Sequence, residues 1–97
     1  MTPEGKVKAR VRKVLKEISA FYSMTVTGGF GHSGDCDFYV CHRGKFYGIE
    51  CKANGNKPTA LQLKRHDEIR QAGGVVLVID ETNVETLRKE LSDEQED

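Results

Sequence analysis

Along the first quarter of the chain, apolar residues recur at Val7, Val11, Val14, Leu15 and Ile18, and Phe21 and Tyr22 continue the series. At about 100° per residue they form one stripe, with Lys6, Lys8, Arg10, Arg12, Lys13 and Lys16 outside it, which predicts an amphipathic helix. Thr2-Pro3-Glu4 supplies the start: a hydroxyl cap, a proline at the first helical position and a carboxylate on the positive end of the dipole. Glu4 projects onto the apolar side, where a carboxylate needs a lysine, a metal or water as partner. Met24 to Thr27 reads as a short β-prone stretch. Gly28 to Gly34 follows, a loop with four glycines and His32. It lacks the Gly-Lys-Ser/Thr of a phosphate-cradling loop.

Alternation then takes over. Cys36–Cys41 and Lys45–Lys52 read as two strands joined by His42-Arg43-Gly44, hairpin spacing with glycine in the turn. Thr59 caps a helix ending at Ala72, where Gly73-Gly74 stops it. Val75–Ile79 is unbroken apolar sequence, the pattern of a strand covered on both faces. Asn83–Leu91 reads as a last short helix and 92–97 as a frayed acidic end. The predicted order is α-β-β-β-α-β-α, an α/β domain over residues 1–97 whose mixed sheet contains a right-handed parallel crossover.

Composition narrows the class. Ninety-seven residues, 37% hydrophobic and 31% charged, fit one globular domain. No apolar run approaches the roughly 20 residues that span a bilayer, and no apolar signal segment opens the chain. Three cysteines, an odd set inside apolar segments, suit reduced thiols in a cytoplasm. Net charge is zero, yet residues 1–70 hold 13 Lys/Arg against 7 Asp/Glu, and residues 71–97 hold 2 against 8. A polyanion would meet the local basic field rather than the sum. Solvated helix faces with a solubilising tail account for the same layout.

The chemistry concentrates in Gly48-Ile49-Glu50-Cys51-Lys52. Period-two alternation sends Ile49 and Cys51 into apolar packing and Glu50 with Lys52 to the other face. A hairpin centred near residue 43 or 44 sets Asp37 roughly opposite Glu50, with Cβ atoms about 5 Å apart. Carboxylates that close need a proton or a cation between them. A hard ion such as Mg²⁺, which takes oxygen ligands, is a natural solution. Lys52 then can polarise an attacking water and balance charge on a phosphate. Zinc at Cys36, Cys41, His42 and Cys51 is disfavoured: Cys36 and Cys41 have opposite parity and lie about 16 Å apart along a strand, whereas zinc ligands sit about 2.3 Å from one ion. Buried apolar thiols are the expectation.

Asp37, Gly-Ile-Glu-Cys-Lys at 48–52, Lys-Pro-Thr-Ala-Leu-Gln at 57–62 and Ile-Arg-Gln-Ala-Gly-Gly-Val at 69–75 together resemble the VRR-NUC family of the PD-(D/E)xK nuclease superfamily, in its stand-alone phage and bacterial form. The likeness runs from Thr2 to Ile79. It implies a restriction-endonuclease-like core with a mixed central sheet flanked by helices. It also implies Asp37, Glu50 and the Cys51 backbone carbonyl as metal ligands, Lys52 as the catalytic lysine, and Gln62 as the helix glutamine beside the site. Gln62 equally completes a capping box with Thr59. Glu4 matches the helix acid that some superfamily members add. The family commonly has proline before the aspartate; this chain has Asp35-Cys36-Asp37, so Asp35 stands as an alternative or supporting carboxylate.

The implied activity is Mg²⁺-dependent (or Mn²⁺-dependent) hydrolysis of DNA in a phage-infected or bacterial cytoplasm, in replication, recombination or repair. Similarity to Holliday-junction resolvases implies a homodimer acting on four-way junctions, with no membrane and no small-molecule cofactor involved. Lys6, Lys8, Arg12, Lys57, Lys64 and Arg65 would grip phosphates without reading sequence. Flap or end processing, restriction-like cleavage, and a non-catalytic DNA-binding module are the rival expectations.

Overall fold

The computed structural model describes residues 1–25 and 34–92. The glycine loop with His32, the end of the predicted Met24–Thr27 stretch, and most of the acidic tail lie outside them. Helix α1 (Pro3–Glu17) begins as its sequence dictates: Thr2 Oγ1 accepts the Gly5 N–H at 2.9 Å. Val7, Val11 and Leu15 are buried, and Val14 and Ile18 pack beside them. The stripe ends there. Ser19 adopts a left-handed φ of 60°, and the chain re-emerges as strand β1 (Phe21–Met24). Phe21 and Tyr22 are therefore strand residues, not the helix's last turn. Phe21 is 76% exposed, while Tyr22 packs on the core with its ring 6.0 Å from that of Phe38. Aromatic residues favour a pleated surface, and the turn at Ser19 removes the helical register that would have aligned them.

Strands β2 (Phe38–His42) and β3 (Lys45–Cys51) form the predicted hairpin, with His42 paired to Lys45. Its two loop residues, Arg43 and Gly44, have φ of 54° and 82°, the left-handed pair that matches strand twist in a tight hairpin. Helix α2 (Ala60–Gln71) then returns the chain to strand β4 (Val75–Ile79), which pairs in parallel with β3. A short 3-10 turn (Val84–Thr86) runs into helix α3 (Leu87–Leu91). Among the described residues the sheet order is β1-β2-β3-β4, so there β3 is interior and β4 is an edge. The reading of β4 as covered on both faces is thus corrected. Only Ile79 is buried, while Val75 and Val78 are each 37% exposed. An apolar run does not reveal whether its strand has a second neighbour.

Pleating assigns the two faces. Phe38, Val40, Tyr47, Ile49 and Cys51 join Val7, Val11, Leu15, Leu87 and Leu91 in the main core under α1 and α3. On the other face Gly48 leaves room for α2: a Cβ there would meet Cys36 Sγ and Ile69 Cδ1, each at 2.9 Å. Cys36 and Cys51 are buried and unoxidised, as expected for apolar thiols, but Cys41 is exposed near the hairpin end. No described helix is long and apolar enough to cross a membrane.

Candidate active site

The β2–β3 register pairs Phe38 with Ile49; one step further it sets Asp37 across from Glu50. Both are buried, at 8% and 2% exposure. Asp37 is held from two directions: Oδ2 accepts the Cys51 N–H at 2.7 Å, and Oδ1 lies 3.3 Å from Lys8 Nζ on α1. Glu50 is held from α2. Its Oε2 accepts from Gln62 Nε2 at 2.7 Å, and its Oε1 lies 3.3 Å from His66 Nε2.

Burial first, and then the charge of Asp37, push the Glu50 carboxyl up to about 8; Lys52 pulls it back in part, and Glu4 adds a small rise. The two acids therefore share a site that favours a proton or a cation between them. His66, 1% exposed, moves the other way: burial, Arg70 and Lys52 hold it below the usual imidazole range. Between Glu50 and His66 the favoured contact is a hydrogen bond of neutral groups rather than an ion pair. Burial, and then Glu50, push the Cys36 thiol up to about 12.

Gln62 performs both functions expected of it. Its Oε1 accepts the Thr59 N–H at 2.9 Å and its backbone N–H bonds Thr59 Oγ1 at 3.2 Å, completing the capping box. The same amide's Nε2 is then aimed at Glu50. Capping fixes the rotamer, and the rotamer delivers the donor.

Of the other sequence-derived residues, Lys52 is half-buried and acts on both Glu50 and His66 through its charge. Lys8 pairs with Asp37, so this cation of the basic helix belongs to the acid cluster. Asp35 is engaged with Arg65 and Tyr39 instead, 3.4 Å from Arg65 Nε and accepting from Tyr39 Oη at 3.4 Å. Arg65 is correspondingly occupied by Asp35 and by Glu68 at 2.7 Å. Lys6, Lys57 and Lys64 are exposed; Arg12, also exposed, donates from Nε to Tyr22 Oη at 3.3 Å.

His66 and Cys36 are the residues that sequence reasoning did not place. His66 follows Gln62 by four and precedes Ile69 by three, so all three share one helical face, and that spacing was the available signal. Cys36, Glu50 and His66 converge with ligand atoms all within 4.8 Å of one another.

Known proteins agree with this geometry at the level of fold. No family model matches the chain. A solved structure described as a VRR_NUC domain aligns with 95% of this chain and 100% of its own, at a TM-score of 0.74 and 24% identity. Over 44 residues, 45% of this chain, the sequence is 39% identical to "Putative nuclease p44" of Acyrthosiphon pisum secondary endosymbiont phage 1. The chain spans about half the length of that curated relative, 47%. The four-stranded mixed sheet flanked by helices is the fold of a VRR_NUC domain.

Proposed function

On this VRR_NUC fold, we propose that the chain is a divalent-metal-dependent nuclease that hydrolyses DNA phosphodiester bonds. The observation that carries the proposal is the buried, mutually repelling pair Asp37 and Glu50 with the Lys52 ammonium beside it. Two buried carboxylates facing each other, Glu50 on β3 and Asp37 just ahead of β2, are a costly arrangement unless a cation joins them. Their oxygen donors fit a hard ion such as Mg²⁺ or Mn²⁺, held by Asp37 and Glu50 with the Cys51 backbone carbonyl as a third donor. When bound, that ion supplies Lewis acidity toward a water and a phosphoryl oxygen.

The chain's own residues set up the reaction. Gln62 and His66 lock the Glu50 carboxylate, and the Cys51 N–H locks Asp37, so neither acid must be ordered when DNA arrives. Lys52, whose charge reaches both Glu50 and His66, would balance the charge that grows on a phosphate bound there, and its hydrogens could orient the attacking water. Water oxygen bonds to phosphorus and gives a proton to solvent, the bond to the 3′-oxygen breaks, and that oxygen takes up a proton from solvent, so the ends are 5′-phosphate and 3′-hydroxyl. Exposed Lys6, Lys57 and Lys64 grip phosphates without reading bases. A branched substrate such as a four-way junction, cut by a homodimer with two symmetric sites, is the finer form of this proposal, and the family resemblance supports it.

The test is cleavage of labelled four-way junction, flap and linear duplex DNA with and without Mg²⁺, alongside the mass of the free protein. Asp37→Ala and Lys52→Ala should each abolish Mg²⁺-dependent cutting. Wild-type rates in both variants would place the chemistry elsewhere.

A further inference from the structure

We propose that Cys36, Glu50 and His66 form a separate, buried site for a soft divalent transition ion of the Zn²⁺ class, which withdraws Glu50 from the hard-metal site. The three residues come from different elements: the approach to β2, the strand β3 and the helix α2. All three are within 2% of full burial. Their ligand atoms lie within 4.8 Å of one another, and the closest pair, Glu50 Oε1 and His66 Nε2, is at 3.3 Å. Zinc bonds of 2.0–2.3 Å at tetrahedral angles put ligand atoms about 3.5 Å apart. Closure therefore requires side-chain movements of about an ångström or less.

The surroundings suit such an ion. Gly48 has no side chain, so its bare backbone leaves Cys36 Sγ its place; a Cβ would come within 2.9 Å of that sulfur. Gln62 holds Oε2 of Glu50 and leaves Oε1 toward the imidazole, the outer support that ligating carboxylates need. The donor set of sulfur, imidazole nitrogen and one carboxylate oxygen selects Zn²⁺ or Co²⁺ over Mg²⁺. On binding, the Cys36 S–H bond and the Glu50 O–H bond both break, the two protons go to solvent, and sulfur and the Glu50 oxygen form their bonds to the ion. Asp37 belongs to the other site, so the two ions compete through Glu50 alone.

This inference shares Glu50 with the proposed nuclease site, but its test needs no DNA. The purified chain is titrated with Co²⁺ and read by absorbance; Zn²⁺ affinity is then measured against a chromophoric chelator. One Co²⁺ per chain should bind with a sulfur-to-cobalt charge-transfer band. Cys36→Ala should lose the band and weaken Zn²⁺ by about 100-fold or more, while Cys41→Ala keeps both. No band in the wild type, a band surviving Cys36→Ala, or one lost in Cys41→Ala overturns the proposal. If circular dichroism shows Cys36→Ala unfolded, His66→Gln decides it: Zn²⁺ affinity lowered at least tenfold supports the site, and unchanged affinity removes it. A protein that takes up Zn²⁺ through Cys36 and cuts no DNA defeats only the nuclease reading; one that cuts with Mg²⁺ and shows no Cys36-dependent uptake defeats only this one.

Discussion

Glu50→Gln should make the metal-free protein more stable while ending its activity. The Glu50 carboxyl rises from 4.5 to about 8 on folding. The folded chain therefore keeps a proton that the unfolded chain releases above 4.5. Stability from this group is greatest below that pH and falls as pH rises toward 8, by about 1.4 kcal/mol per pH unit. Across the whole window the loss is at most roughly 5 kcal/mol, a large part of what a domain this size possesses. Glutamine never ionises, and its carbonyl still accepts from Gln62 Nε2, so the variant escapes the loss. Urea unfolding of both proteins without metal at pH 5, 6.5 and 8 isolates the Glu50 cluster, because groups not in contact with Glu50 cancel in the difference. The advantage of Glu50→Gln should be smallest at pH 5 and grow at each step. At pH 8 it should exceed 1 kcal/mol, or about 4–8 °C in Tm. A difference independent of pH would show that Glu50 does not bear the burial and Asp37 repulsion described above.

Gln62→Glu keeps an acceptor for the Thr59 N–H but turns the donor aimed at Glu50 into a like charge; helicity should survive while cleavage falls at least tenfold. Gln62→Met, losing the side-chain half of the capping box as well while the Thr59 hydroxyl still caps the backbone, should also cost about 0.5–1.5 kcal/mol in urea unfolding. Gly48→Ala drives a methyl against Cys36 Sγ and Ile69 Cδ1 and should destabilise by about 1–3 kcal/mol in thermal melts. DNA affinity should fall steeply with salt, and each of Lys6→Ala, Lys57→Ala and Lys64→Ala should reduce the salt slope by about one.

The element order was legible because each boundary carries its own chemistry: Thr2-Pro3 and Thr59 open helices, Arg43-Gly44 turns the hairpin, and Gly73-Gly74 ends α2. The opposition of Asp37 and Glu50 followed from counting back from that turn. What stayed hidden depends on facts outside any local window. The exposure of Val75 and Val78 depends on β4 having no strand beyond it among the described residues. The strand identity of Phe21 and Tyr22 depends on a left-handed Ser19, a conformation that serine does not announce. His66 sits in a helix of mostly polar sequence, so its burial shows only once α2 is laid across Gly48. Lys8 read as one of the cations that grip phosphates until α1 carried it to Asp37.

The hairpin also bears on how the chain folds. Zipping from Arg43-Gly44 brings strand pairs together in sequence, Lys45 with His42 first and Ile49 with Phe38 late. Asp37 and Glu50 meet at the open mouth of that ribbon, after the pairs nearer the turn have closed. Were the ribbon to close in that order, their repulsion would oppose the last step until a partner arrived: a proton, the Lys8 side chain on the first helix, or a metal ion from solution.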